Sequence, residues 1–207
     1  MRLEQLIFGP LEENTYIFQD DAGDAVVIDP GSGAPEILAA LERMGARVTA
    51  VLLTHGHYDH IGAARELAGA AGAPIFAHEA EFPLLKDPYI NHSYVLPKPI
   101  SITPDRALRD GDILRVGGET LSVIHTPGHT AGGVCYYNAA GGVLFSGDTL
   151  FFETIGGADF ETSDYRAELA SVKNRLYTLP DETAVYPGHG PRTTIGHEKK
   201  HNDCVRA

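Results

Sequence analysis

Cysteine is scarce in this chain. Cys135 and Cys204 are the only two, too few and too far apart for a disulfide framework. No apolar run approaches the roughly 20 residues needed to span a bilayer. The stretch from Met1 to Leu6 lacks the apolar core and small-residue cleavage site of a signal peptide. A cytoplasmic protein with reduced thiols and no membrane partner is therefore expected. Positive charge is scarce too: 16 Lys and Arg face 28 Asp and Glu, a formal net charge of −12. No basic stripe exists to neutralise phosphates, the densest cluster being Lys199-Lys200, so nucleic acid is excluded as a partner. Repeats, low-complexity tracts and composition shifts are also lacking, and 207 residues suit one well-buried domain, residues 1–207.

What is present reads as a mixed α/β chain with two sheets. Arg2 to Phe8, Asn14 to Phe18 and the apolar run Ala25 to Ile28 are β-prone, the last stopped by the turn Asp29-Pro30-Gly31. Pro35 suits a first helical position, and Ile37, Leu38, Leu41 and Met44 form an apolar stripe before Gly45 ends the helix. Val48 to Leu53 is a buried strand running into a loop at His55 to His60, and an alanine-rich helix is expected from Ile61 to Ala71. Pro83 to Pro104 is a proline-rich loop over a small or broken helix, suited to a lid or pocket wall. Further strands are expected at Ile113 to Val116, Thr120 to Ile124, Gly133 to Tyr137, Val143 to Phe145 and Thr183 to Tyr186. Helices are expected at Asp164 to Tyr177 and Ile195 to Asn202.

The chemistry concentrates in Thr54-His55-Gly56-His57-Tyr58-Asp59-His60, on a strand-to-helix connection of the kind that presents functional groups from a rigid scaffold. Imidazole nitrogens with a carboxylate suit zinc, iron or manganese. Three further candidates, His129, Asp148 and His189, each follow a glycine at a turn after a strand. A lone histidine beside a glycine is ordinarily a turn residue. Three histidines and an aspartate within six positions, crowded on the end of an apolar strand, have no comparably cheap structural explanation. Binding of one or two transition-metal ions is the reading that follows.

That heptapeptide resembles the signature of the metallo-β-lactamase superfamily, and His129, Asp148 and His189 match its later motifs in order and context. Asn14-Thr15-Tyr16 and Asp29-Pro30-Gly31 extend the resemblance over essentially the whole chain. In detail it is similar to the short bacterial glyoxalase II-like (hydroxyacylglutathione hydrolase-like) branch, which lacks a separate C-terminal helical domain. The resemblance implies an αββα sandwich of two mixed β-sheets flanked by helices, and a site for two divalent transition-metal ions, zinc foremost, with iron or manganese as alternatives. It implies His55, His57 and His129 as ligands of one metal, Asp59, His60 and His189 of the other, and Asp148 as the bridge. It also implies hydrolysis of a small thioester such as an S-acyl glutathione. The chemistry agrees. Two metals roughly 3.5–4 Å apart generate hydroxide near neutral pH and stabilise the oxyanion it creates, with Asp59 a candidate to orient it. They leave the pocket a local charge of about +1, which favours an anionic small molecule. A thiolate derived from a thiol of pKa ~8.5 leaves with little general-acid help.

One departure bears on substrate. In the family, Gly-x-Gly-Arg or Gly-x-Gly-Lys follows the bridging aspartate and its cation helps hold glutathione; here Gly157 stands at the cation's position. The family's Asn-Pro-Phe near the C-terminus is also missing, replaced by His201-Asn202-Asp203-Cys204. Lys199, Lys200 and Arg192 are the remaining candidates for a carboxylate clamp, though solvated surface charge explains them more cheaply. Two other functions remain open. His55, His129 and Asp148 alone could form a facial triad for non-haem iron and O₂, as in persulfide dioxygenases of the superfamily. A non-catalytic metal- or thiol-binding module would use the same ligands. His197-Glu198-Lys199-Lys200-His201 formally matches a metalloprotease zinc motif, but the helix is short and no third ligand follows, so a surface helix is expected. Cys135 reads as a small buried hydrophobe and Cys204 as exposed. Tyr58 and Phe160 are candidates to line the pocket; His78 and His92 lack an identifiable partner.

Overall fold

Strands with apolar side chains on both faces need a cover on each side. The structure, a computed structural model that describes residues 1–206, provides it with two sheets and two helical layers. The first sheet holds β1 (Arg2–Phe8), β2 (Glu13–Gln19), β3 (Asp24–Ile28), β4 (Arg47–Leu52), β5 (Ile75–His78) and β6 (Arg106–Leu108) in chain order. Its first three strands are antiparallel, and β3 to β6 run parallel. The second holds β7 (Ile113–Val116), β8 (Glu119–His125), β9 (Val134–Asn138), β10 (Val143–Gly147), β11 (Ala184–Pro187) and β12 (Thr193–Thr194), antiparallel except for the β10–β11 pair. Helices α1 (Ala34–Met44), α2 (Tyr58–Ile61), α3 (Ala64–Ala71) and α4 (Phe82–Lys86) belong to the first half, and α5 (Tyr165–Asn174) and α6 (Ile195–His201) to the second.

Three buried clusters record the layering. Phe18, Val26, Ile28 and Leu52 meet Val123, Tyr136 and Phe145 between the sheets. The alternate residues Ile17, Val27 and Val51 face outward onto Ile37 of α1 and Leu67 of α3. On the far side Leu144, Val185 and Cys135 pack against Val172 of α5 and Ile195 of α6. This is the expected αββα sandwich of two mixed sheets. No helix among the described residues is long and apolar enough to cross a membrane.

Two local expectations need correction. The His55–His60 segment is not wholly a loop, because Tyr58–Ile61 closes a helical turn with His57 as its N-cap. The helix expected from Ile61 to Ala71 is broken after Ile61 and resumes at Ala64. The Ala63 amide leaves the helical ladder to donate to the Pro30 carbonyl at 2.9 Å, tying this break to the turn after β3.

Cys135 is buried and Cys204 exposed, both as free thiols. Burial pushes the Cys135 thiol up to about 12. In the native protein near pH 8, Cys204 alone is expected to react with an aromatic disulfide reagent, and Cys135 only after unfolding. Two equally fast equivalents would contradict this packing.

Candidate metal centre

Strand ends meet on one edge of the sandwich. The turn after β3 delivers Asp29, β4 leads into Thr54–His60, β10 ends one residue before Asp148, and β11 ends two before His189. The turn after β8 brings His129. Parallel strand ends of this kind are where α/β sheets place their sites.

All seven residues singled out from the sequence come together here. One nitrogen each from His55, His57 and His129 lies within 4.8 Å of the others, as do the donor atoms of Asp59, His60 and His189. Asp148 stands between the two groups. Its Oδ2 is 3.9 Å from His55 Nε2, 3.5 Å from His129 Nε2 and 3.6 Å from His189 Nε2, and its Oδ1 is 3.4 Å from His60 Nε2. His55 Nε2, His57 Nε2 and Asp148 Oδ1 are buried without a hydrogen-bond partner, an arrangement that costs about 1–3 kcal/mol per orphaned group. Nitrogens also face nitrogens: His57 Nδ1 lies 2.9 Å from His129 Nε2, and His60 Nε2 3.2 Å from His189 Nε2. Cations between these facing groups would relieve the nitrogen–nitrogen contacts and satisfy His55 Nε2 and Asp148 Oδ1, so the donor set fits divalent transition metals.

An outer set of groups fixes which nitrogen four of the five imidazoles turn inward. His129 Nδ1 contacts the Gly157 carbonyl at 2.6 Å and His189 Nδ1 the Leu11 carbonyl at 2.9 Å. His60 Nδ1 lies 3.1 Å from Asp29 Oδ2, and His55 Nδ1 lies 3.1 Å from Thr54 Oγ1, which itself donates to Asp29 Oδ2. The Thr54 amide donates to Asp29 Oδ1 at 2.7 Å. One carboxylate therefore steadies a donor of each group. Asp29 achieves this with a left-handed backbone (φ 48°), which aspartate tolerates better than most residues. Glu81, fully buried, accepts from the amides of Gly56 at 3.2 Å and Gly132 at 2.8 Å, pinning the His55–His57 loop to the His129 loop. Glu168 accepts from the His129 amide. The turn carrying His189 is held by Asn14 Nδ2, which donates to Pro187 O at 2.9 Å, and by the Tyr16 hydroxyl, which donates to the same oxygen at 2.7 Å. Gly188 is obligatory, since a Cβ there would collide with Asp148 Oδ1 and His60 Cε1.

Charge divides the two groups. Burial drives His55 well below the usual imidazole range and His57 to about 3, and it lowers His129 as well. Their lone pairs are free to ligate. Burial acts the same way on His60, but the facing carboxylates of Asp148 and Asp59 outweigh it and hold His60 well above its ordinary value. His189 is likewise raised, the hydrogen bond to Asp59 overcoming burial. Burial alone would raise Asp148; His60 beside it holds the carboxyl well below the carboxylate range.

Several secondary expectations are settled by position. Phe160 packs 4.8 Å from His57 and 5.4 Å from His129, centroid to centroid, and so lines the site. His92, without a partner on sequence grounds, packs 5.5 Å from His57 with its Nε2 3.3 Å from Glu161 Oε2. His78 stacks on His125 at 4.1 Å. In α6, Glu198 is fully buried and accepts from Thr193 Oγ1 and Asn202 Nδ2, so the formal protease motif is a structural tie. Lys199 Nζ is engaged by Asp181 at 2.5 Å. Asp29, Glu81 and Glu168 were not singled out by the sequence as functional; only Asp29 had a signal, its place in a turn after a buried strand.

Comparison with known proteins agrees with this geometry. The family model described as Metallo-beta-lactamase superfamily matches residues 8–189. A hydroxyacylglutathione hydrolase GloC of Haemophilus influenzae is 34% identical over 210 residues, covering 100% of this chain and 99% of that protein. Among solved structures, the BLEG-1 B3 metallo-beta-lactamase is 40% identical with a TM-score of 0.94 and covers 100% of both chains. TTHA1623, crystallised in a di-iron-bound form, is 37% identical with a TM-score of 0.87, covering 98% of this chain and 100% of its own.

Removing the Asp29 carboxylate would strand the Thr54 amide, the Thr54 hydroxyl and His60 Nδ1 in a dry place. Asp29→Ala is expected to lower stability by about 3 kcal/mol in denaturant melts and to reduce the metal bound per chain by elemental analysis. Full stability with full metal content would remove Asp29 from this role.

Proposed function

The chain belongs to the metallo-β-lactamase superfamily, and on that premise we propose that it is a two-metal hydrolase of small thioesters. The observation that carries the reading is the convergence of two three-donor groups on the single carboxylate of Asp148. His55, His57 and His129 would hold one divalent ion, Asp59, His60 and His189 the other, and Asp148 would bridge them. Zinc suits this nitrogen-rich set; iron is the alternative, in keeping with the di-iron form of TTHA1623. When bound, such a pair supplies Lewis acidity and an activated water near neutral pH.

The chain's own groups perform the rest. Asp59, with Oδ2 3.3 Å from His189 Nε2, accepts a hydrogen bond from the attacking water and orients it toward the acyl carbon. Phe160 and the rings around it keep bulk water from the His57–His129 face. Departure of a thiolate needs no acid from the protein. The substrate's negative charge is met at the reacting centre, where the oxyanion and then the product carboxylate develop. Reduced thiols fit a cytoplasmic enzyme.

Two observations bear on the alternatives. A one-iron dioxygenase site requires only His55, His129 and Asp148 and gives no reason for Asp59, His60 and His189 to converge beside them. The same surplus of donors argues against a passive binding module. Glutathione, in turn, finds no cation after the bridging aspartate: Gly157 presents only its carbonyl, taken by His129, and Asp159 and Glu161 follow it. A carrier thiol with less negative charge is therefore the better fit.

The purified protein is expected to contain close to two metal ions per chain and to cleave small thioesters, those of a neutral thiol faster than those of glutathione. Asp148→Ala should abolish turnover and lower metal content together. A single iron per chain, with oxygen consumed in the presence of a persulfide, would overturn the hydrolase reading in favour of the dioxygenase.

A further inference from the structure

A cavity of about 920 Å³ opens beside the Asp59 half of the centre, between the β1–β2 turn, the start of α1, α2 and the proline-rich segment at Leu96–Ile102. That volume is at the upper end of small-molecule sites. Its lining includes the buried Glu13 and Asp59, the one candidate metal ligand that borders it. Glu13 forms a backbone bridge with His189, and Leu11, also lining the cavity, offers its carbonyl to His189 Nδ1. A molecule seated here would meet the centre through Asp59.

The walls decide what kind of molecule. Phe8, Leu11, Ile61, Leu96, Ile100 and Ile102 all line the cavity, joined by prolines on both sides. Two basic side chains border it, and neither offers a buried seat for an anion. Arg65 is engaged, donating to the Thr103 carbonyl at 2.6 Å and lying 3.5 Å from Asp105. Lys98 is exposed at the mouth. No buried cation lines this space among the described residues, so it offers no seat for an anionic group. Aliphatic walls leading to a reacting centre favour an uncharged hydrocarbon arm.

We propose that this cavity receives the acyl arm of the substrate, and that the enzyme prefers thioesters of unbranched aliphatic acids of medium length. The inference rests on the thioester reading above. The water oxygen bonds to the acyl carbon, the C–S bond breaks with its electron pair going to sulfur, and the sulfur leaves as thiol once protonated. The acid remains in the cavity until released.

The test uses metal-loaded, full-length protein and acetyl, butyryl, hexanoyl and octanoyl thioesters of one neutral thiol. Burial of about 0.8 kcal/mol per methylene predicts that kcat/KM rises about threefold to fourfold with each added methylene until the cavity is filled. Ser32, an exposed residue on the rim, makes no side-chain hydrogen bond among the described residues, and Ser32→Trp would plug the space. The ratio of octanoyl to acetyl kcat/KM should then fall toward one. Leu96→Ser, at a half-buried position, should lower the same ratio and serves where the tryptophan variant fails to fold. Calorimetry of octanoate and acetate gives a second readout, with octanoate expected to bind at least tenfold more tightly to wild type than to Ser32→Trp.

A flat chain-length series with good turnover would overturn the acyl assignment and leave the thioesterase reading intact. No turnover of any thioester would sink that reading instead. In that case octanoate binding decides the cavity: tight binding lost in Ser32→Trp supports an aliphatic site, and equal, weak binding of octanoate and acetate removes it.

Discussion

Four imidazoles share one edge of this sandwich because a single carboxylate lies among them. Asp148 is 3.4–3.9 Å from nitrogens of His55, His60, His129 and His189, close enough in a dry setting to hold the four rings around one negative charge. The position depends on both sheets. β10 and β11 run parallel, so the turns after them emerge side by side, and β3 and β4 do the same in the facing sheet. The space between Asp148 and His60 exists only because residue 188 has no side chain. Fold and centre are thus one constraint: the layers must stack in register for the charges to balance.

Much of the fold is legible locally, and the exceptions share a cause. β2, β3, β4, β9 and β10 read as strands because both faces are covered, leaving short, nearly unbroken apolar runs. Helix α1 announces itself by its stripe, its proline and its terminal glycine. By contrast, β5 and β6 span only Ile75–His78 and Arg106–Leu108, too few residues for a period to emerge. They are strands because β4 offers an edge, a non-local cause. The turn Tyr58–Ile61 escapes for a related reason, since its polar residues face a site rather than a core.

The centre shows the same division. Seven donors stand out because metal chemistry crowds them into one heptapeptide and three glycine turns. The carboxylates that hold them do not. Asp29, Glu81 and Glu168 are each solitary in sequence, and their significance lies in burial to 2% or less and in the amides they accept from. Acids so placed are rare on general grounds, but only tertiary structure reveals the placement. The protease-like motif in α6 is the converse case, a pattern whose central Glu198 is consumed by three hydrogen bonds, from Glu153 N, Thr193 Oγ1 and Asn202 Nδ2.

The two halves of the centre are built for different tasks. Side-chain exposure is 2% at His55 and 7% at His129, and their surroundings are pinned by Thr54, the Gly157 carbonyl, Glu81 and Glu168. Exposure rises to 15% at Asp59 and 23% at His189 in the other half, which borders the large cavity at Asp59, while His60 stays at 1%. A buried half pinned in this way is suited to holding a metal in one geometry. The half that borders the cavity is the more open of the two at Asp59 and His189. Asp148 joins the halves, so whatever strengthens the rigid side also positions the reactive one. The walls beyond Asp59 lie outside the ligand set, so they can differ without disturbing the centre, and any selectivity placed there is free of the constraint that fixes the ligands.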